Sequence, residues 1–87
     1  MDSILSVRNE IKSRARSRRK SLNLSQVELA LRSGVSLGSV KRFESTGEIS
    51  LTSLLKIAIV LESEGDFKAL FSHKIYRSLQ EVIDDAE

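Results

Sequence analysis

Apolar residues recur at intervals of three and four along most of the chain, which is the spacing of one face of an α-helix. The first such stripe contains Ile4, Val7 and Ile11, and Ala15 continues it. Basic side chains occupy the other faces of the same segment. We therefore predict a first helix over about residues 4–21.

A second helix is marked at both of its ends. Ser25 is followed three residues later by Glu28, the spacing of a capping box, so a helix is expected to begin at about Gln26. Gly34 supplies the positive φ that commonly ends a helix, which limits the segment to about two turns. Ala30 is small enough to let the next helix approach closely.

A third helix is expected almost immediately afterwards. Ser36 is a candidate N-cap, and Val40 and Phe43, three residues apart, give this helix an apolar stripe. Two short helices that meet across a three-residue break predict a helix-turn-helix over residues 25–45.

A fourth helix is predicted over about residues 51–62. Gly47 closes the preceding turn and Ser50 is its candidate N-cap. The segment is apolar on most of its faces, so we expect it to be buried on most of them. Part of this apolar surface would cover the core, and the excess, for which Ile59 is the candidate, would meet a partner.

The last part of the chain carries two more apolar groups. Phe67, Leu70 and Phe71 predict a short fifth helix that closes the core. A further stripe follows, formed by Ile75, Leu79 and Val82 or Ile83. This stripe either packs back on the amino-terminal helix or joins a second subunit, and we favour a dimer contact.

Composition supports one small all-α domain. The chain has 87 residues, 40% of them hydrophobic and 30% charged, with no proline and no cysteine. The absence of cysteine excludes a disulfide framework and a thiolate metal site, and agrees with a reducing cytoplasm. No apolar run approaches the roughly 18 residues of a membrane span.

Catalytic chemistry has little support in these residues. His73 is the single histidine and is more simply explained as a surface or packing residue. None of the many serines has the sequence signature of a nucleophile. We expect no enzyme activity, no metal and no cofactor.

The net charge is only +2, but the charge is divided unevenly. Residues 8–42 contain ten basic residues against Glu10 and Glu28, net +8, and residues 43–87 are net −5. A polyanion such as DNA or RNA is the natural partner of the basic part, although a solvated helix face needs no partner. Among the basic residues of the first helix, Arg16 and Arg18 are our candidates for phosphate contact.

One arc of the third helix is suited to DNA bases. At 100° per residue it contains Leu37, Gly38, Lys41, Arg42 and Ser45, while the apolar stripe lies opposite. An arginine there can contact guanine in a bidentate manner, a lysine can reach a base or phosphate, and a leucine can touch a thymine methyl or pack inward. Gly38 is unfavourable for the helix, so we expect that the backbone there must come close to DNA or to a neighbouring side chain.

The chain resembles the phage repressor and Cro family, also called the xenobiotic-response-element family. The resemblance covers about residues 14–71 and is carried by Gln26, Leu29, Ala30, Gly34, Val35, Val40 and Phe43. It implies a five-helix repressor-like helix-turn-helix core at about 14–72. The length of the chain predicts a single domain over 1–87, in which the residues outside this core are N- and C-terminal helical extensions and 73–87 is a possible dimer contact.

The resemblance also implies roles for particular residues. Arg19 would pair with Glu44 as a structural link, and Gln26 would contact phosphate. Ser50 would either contact phosphate or only cap its helix. The full predicted set comprises Leu37, Gly38, Lys41 and Arg42 for bases; Arg16, Arg18, Gln26, Ser36, Ser45 and Ser50 for phosphate; and Arg19, Glu44, Ala30, Gly34, Val40 and Phe43 for structure. Well-known readers of the family often carry glutamines where this chain has Leu37 and Gly38, which argues against direct adenine readout there.

The expected function is that of a homodimeric repressor that binds double-stranded DNA with the helix at about 36–45 in the major groove. A second hypothesis is a HipB-type antitoxin, which would bind a kinase toxin and repress their shared operon. A third is nucleic-acid binding without sequence specificity.

Overall fold

The computed structural model describes residues 3–74, which form five α-helices. These are α1 (Ile4–Ser21), α2 (Gln26–Ser33), α3 (Leu37–Thr46), α4 (Leu51–Val60) and α5 (Glu64–Lys68). The all-α prediction and the five-helix architecture are confirmed. The predicted apolar stripe of residues 75–83 lies outside the described residues.

A serine caps the beginning of each of the four longer helices. In each case the hydroxyl oxygen accepts the backbone N–H of the residue three positions later, and the capping serines are Ser3, Ser25, Ser36 and Ser50. The capping box at Ser25 is complete, since its own N–H donates to the Glu28 carboxylate at 3.1 Å. These side chains satisfy amides that the first turn of a helix leaves unpaired.

Glycines in the left-handed conformation end α2 and α3. Gly34 has φ 76° and Gly47 has φ 82°, so α2 and α3 stop where the sequence predicted. Asn23 adopts φ 59° between α1 and α2, and the next residue, Leu24, donates its N–H to the Arg19 carbonyl of α1 at 3.1 Å. α2 can therefore pack against both α3 and α4, while α1 packs against α3.

The core is formed where α2, α3 and α4 meet. Its buried members are Leu29, Val35, Val40, Phe43, Ile57 and Leu61. Val40 and Phe43 are 0% and 2% exposed, as the predicted stripe of α3 requires, and Ala30 packs against this cluster. Burial of the apolar side of α3 leaves its opposite side for solvent or for a ligand.

Two predictions about the carboxyl-terminal half are wrong in part. α4 is not buried on most of its faces, because Leu51, Leu55 and Ile59 form an exposed stripe at intervals of four residues. The exposure of Ile59 agrees with the excess apolar surface expected on this helix. The fifth helix ends at Lys68 and does not bring all its predicted apolar residues into the core: Leu70 is 54% and Phe71 94% exposed. α5 alone is too short to cover a second face of α4.

Candidate nucleic-acid interface

The exposed face of α3 consists of Leu37, Gly38, Lys41, Arg42 and Ser45. All except Leu37 are exposed, and Leu37 is partly buried. The Arg42 side chain is 68% accessible. The division into a buried apolar side and an outward polar side therefore agrees with the arc derived from helical spacing.

Gly38 has no internal packing reason to be glycine. Its φ is not in the left-handed region, and a Cβ built at this position meets no atom within 4 Å. An alanine would fit and would favour the helix by up to about 1 kcal/mol. Within residues 3–74, close approach to a neighbouring side chain is therefore removed as an explanation. Close approach of Gly38 to DNA stays a prediction.

A buried ion pair anchors α3 to α1. The Arg19 Nε donates to Glu44 Oε2 at 2.7 Å and its Nη2 donates to Oε1 at 2.8 Å, while Nη1 donates to the Leu24 carbonyl at 2.8 Å. Only 9% of the Arg19 side chain and 5% of the Glu44 side chain are accessible. The pair expected from the sequence is thus present, with the geometry of a bidentate contact.

The environment of Glu44 favours its ionised form. Burial raises the pKa of this carboxyl and is the largest single influence, but hydrogen bonds from Arg19 and Gln26, with the nearby charges of Arg19 and Arg16, lower the pKa below its ordinary value. The hydrogen bond to Glu44 likewise raises the pKa of Arg19. Both partners therefore remain charged at neutral pH.

Gln26 belongs to the same cluster. Its Nε2 donates to Glu44 Oε1 at 3.1 Å. The side-chain amide of this predicted phosphate contact is therefore oriented by the ion pair, at the amino end of α2, where backbone N–H groups favour an anion.

Much of the positive charge on α1 serves the ends of other helices. Arg8 donates to the Thr46 carbonyl at 2.9 Å and Lys12 to the Ser45 carbonyl at 2.7 Å, both at the C-terminus of α3. Arg18 donates from Nε to the Leu61 carbonyl at 2.9 Å, beyond the end of α4. Terminal carbonyls of a helix carry partial negative charge, so these cations stabilise α3 and α4.

These contacts distinguish Arg16 from Arg18, the two residues of α1 that were predicted to contact phosphate. Arg18 is held at the end of α4, and its hydrogen bonds within residues 3–74 do not involve α3. The Arg16 side chain forms no hydrogen bond or ion pair within the same residues, yet it lies near enough to Glu44 to lower the pKa of that carboxyl. Arg16 therefore has the more available guanidinium.

The three predicted serines all make local hydrogen bonds. Ser36 Oγ accepts from Ser39 N–H at 3.1 Å and donates to Ser39 Oγ at 2.8 Å. Ser45 Oγ donates to the Arg42 carbonyl at 3.2 Å, and Ser50 Oγ accepts from Ser53 N–H at 3.1 Å. Their contact with phosphate stays a prediction.

The sequence reasoning missed Glu48. This residue lies just after α3, with its carboxylate 3.2 Å from Arg8 Nη2 and 3.5 Å from Arg42 Nη2. An acidic residue in the turn after a helix that carries Lys41 and Arg42 could have indicated the contact with Arg42. The contact with Arg8 could not be predicted, because Arg8 is 40 positions away in the sequence.

Residues 3–74 contain no helix that is both long and apolar enough to cross a membrane. The described residues also contain no group of three or more histidine, aspartate or glutamate side chains arranged to hold a metal ion.

Comparison with known families identifies a helix-turn-helix in the same part of the chain as the structure does. A family model described as helix-turn-helix matches residues 16–67, more than half of the chain, and includes the whole of α2, α3 and α4. Comparisons with curated proteins and with solved structures found no match. The chain therefore belongs to the Cro/C1-type, phage-repressor-like helix-turn-helix family and is a DNA-binding transcriptional regulator.

Proposed function

We propose that the protein is a sequence-specific repressor that binds an operator as a homodimer, with α3 of each subunit in the major groove. The observation that carries the proposal is an outward polar face on a short helix whose other side is fully buried. The Arg19–Glu44 pair holds that helix against α1. Rigid attachment of α3 matters because base contacts depend on precise placement of the side chains.

The proposed base contacts come from the exposed face of α3. Arg42 is assigned to guanine, because a guanidinium matches the O6 and N7 acceptors. Lys41 reaches a base or phosphate, Leu37 touches a thymine methyl, and Gly38 allows the backbone to approach the groove wall.

The proposed phosphate contacts position this helix and carry no sequence information. Gln26, Ser36 and Ser50 lie at helix beginnings, where backbone amides also attract an anion. Arg16 and Ser45 complete the set, and Arg18 is its weakest member because the Leu61 carbonyl already occupies its Nε.

Dimerisation is supported by apolar surface that this small domain leaves exposed. Ile4 and Leu5 on α1 are 82% and 60% exposed, in addition to the stripe on α4. Exposed apolar side chains that share one helix face, as Leu51, Leu55 and Ile59 do, often mark a protein contact. We propose that residues 75–87 contribute to the dimer, and that promoter occlusion is the mechanism of repression.

Selection of bound fragments from a pool of random duplexes tests the function. We expect a two-fold symmetric consensus with half-sites about 10 base pairs apart, bound roughly a thousandfold more tightly than random duplex. Equal binding of all sequences would contradict the proposal and favour non-specific binding.

Sedimentation of the full chain and of a chain ending at residue 74 tests the dimer. We expect the shorter chain to dimerise less well, and an unchanged mass would remove the proposed role of residues 75–87. The antitoxin hypothesis rests on the family resemblance alone and stays a prediction. A stoichiometric protein partner in a purified preparation would favour it.

A further inference from the structure

Glu48 bridges two arginines with its two carboxylate oxygens. Oε1 accepts a hydrogen bond from Arg8 Nη2 at 3.2 Å, and Oε2 lies 3.5 Å from Arg42 Nη2. Arg8 belongs to α1, whereas Arg42 belongs to the exposed face of α3. The carboxylate therefore connects the amino-terminal part of the chain to the residue that we assign to guanine.

Local hydrogen bonds fix the backbone that carries Glu48. Its N–H donates to Thr46 Oγ1 at 3.0 Å, and the same hydroxyl donates to the Arg42 carbonyl at 2.7 Å. Gly47 adopts the left-handed conformation between them, and a Cβ at Gly47 would be 3.4 Å from Arg8 Cβ and Nε. The turn thus holds the carboxylate beside Arg42 while leaving room for Arg8.

Arg8 lies outside the part of the chain that matches the helix-turn-helix family, residues 16–67. It approaches the end of α3 with two contacts, one to the Thr46 carbonyl at 2.9 Å and one to Glu48. The amino-terminal turns of α1 therefore add a contact to the recognition helix that the matched domain does not contain.

A carboxylate beside a DNA-reading arginine has two opposite effects. It repels phosphate, which weakens binding to duplex of any sequence. It also restricts the conformations of the arginine, and it leaves donors free because a guanidinium has five N–H groups. Less entropy is then lost when Arg42 meets a base.

We propose that Glu48, held in place by Arg8, is a specificity-determining residue that positions Arg42 for its base pair and limits the pairing of Arg42 with phosphate. The proposal rests on the proposed function, in which Arg42 contacts a base. The ion pairs are partly exposed, with 52% of the Glu48 side chain accessible, so the effect is expected to be modest.

The test compares Glu48→Gln with Glu64→Gln, which makes the same change of net charge on α5. Each substitution is made in the wild-type chain and in Arg42→Ala. Binding is measured by fluorescence anisotropy on random duplex, on the selected operator, and on operators substituted at the base pair whose discrimination depends on Arg42. Thermal melting verifies that each variant is folded.

Glu48→Gln is expected to tighten binding to random duplex more than Glu64→Gln does, and to reduce discrimination at the Arg42 base pair by about two- to fivefold. In the Arg42→Ala background, Glu48→Gln should leave discrimination unchanged. A purely structural role would not produce a loss confined to one base pair and dependent on Arg42.

The contribution of Arg8 is tested with Arg8→Ala against Arg14→Ala, which removes an exposed α1 cation that pairs with Glu10 on the same helix. Arg8→Ala should reproduce the loss of discrimination, whereas Arg14→Ala should not. The inference is overturned if an operator is selected but Glu48→Gln and Glu64→Gln behave alike on it and on random duplex. A selection that returns no consensus overturns the proposed function and the specificity role with it, whatever the variants do on random duplex.

Discussion

Arg19 and Glu44 join α1 to α3 through two hydrogen bonds of 2.7 and 2.8 Å that are almost inaccessible to water. Every partner in this cluster is paired: Arg19 also donates to Leu24, and Glu44 also accepts from Gln26. Among residues 3–74, no buried side-chain nitrogen or oxygen lacks a hydrogen-bond partner. The hydrogen bonds therefore offset the cost of burying the two charges. Removal of one member of the ion pair should leave the other buried without its charged partner.

Glu44→Ala is expected to lower the free energy of unfolding by about 3–5 kcal/mol, the usual cost of leaving one charge of a buried pair uncompensated. Chemical denaturation measures this change. The control is Glu10→Ala, which breaks the exposed Glu10–Arg14 pair and should cost at most about 1 kcal/mol. Equal losses for the two variants would contradict the anchoring role of Glu44.

The same carboxyl should make stability dependent on acid. Because hydrogen bonding and nearby positive charge lower the pKa of Glu44 in the folded state, its stabilising contribution is complete above the unfolded pKa of about 4.3 and is lost as pH falls through the folded pKa. The difference in unfolding free energy between wild type and Glu44→Gln should therefore narrow as the pH is lowered from 7 to 3.

Glu28 provides the control for this titration. Its pKa is lowered chiefly by the hydrogen bond from the Ser25 backbone N–H, but the residue is exposed. Glu28→Gln should retain most of the acid dependence of the wild type. If the wild type and Glu44→Gln lost stability in parallel, the assignment of the acid-sensitive group would be wrong.

Gly34 and Gly38 form a matched pair for substitution by alanine. Neither would place a Cβ within 4 Å of another atom, but only Gly34 has a positive φ, of 76°. Gly34→Ala should destabilise the fold by about 1–2 kcal/mol because of backbone strain. Gly38→Ala should stabilise it by up to about 1 kcal/mol through helix propensity.

Gly38→Ala should weaken DNA binding although it stabilises the fold. If the backbone of α3 approaches the groove wall at Gly38, the added methyl group should weaken operator binding even though the protein melts at a higher temperature. Melting curves and anisotropy on the same samples measure both effects. Unchanged affinity would remove Gly38 from the proposed interface.

The sequence predicted the helix ends well because caps are local. Ser25, Ser36 and Gly34 each act on backbone within a few residues, so their spacing alone carries the information. The burial of Val40 and Phe43 followed from helical periodicity in the same way.

The partners of the basic residues could not be predicted in this way. Arg18 donates to a carbonyl 43 residues later, and the position of that carbonyl depends on how α4 packs. Carbonyls at a helix end also leave no mark in the sequence, so their contacts with Arg8, Lys12 and Arg18 could not be predicted. Phe71 was expected in the core, but α5 ends before it and its φ is 62°.

We propose that the exposed face of α3 contacts bases while cations elsewhere contact the phosphate backbone of DNA. Paired binding measurements on Arg42→Ala and Arg16→Ala test this proposal most directly. On the selected operator, Arg42→Ala should cost about 1–3 kcal/mol and relax the choice of one base pair, whereas Arg16→Ala should weaken binding to all duplexes alike and lower the salt slope by about one. If Arg42→Ala weakened every sequence equally, or had no effect, the account of α3 as the recognition helix would be contradicted.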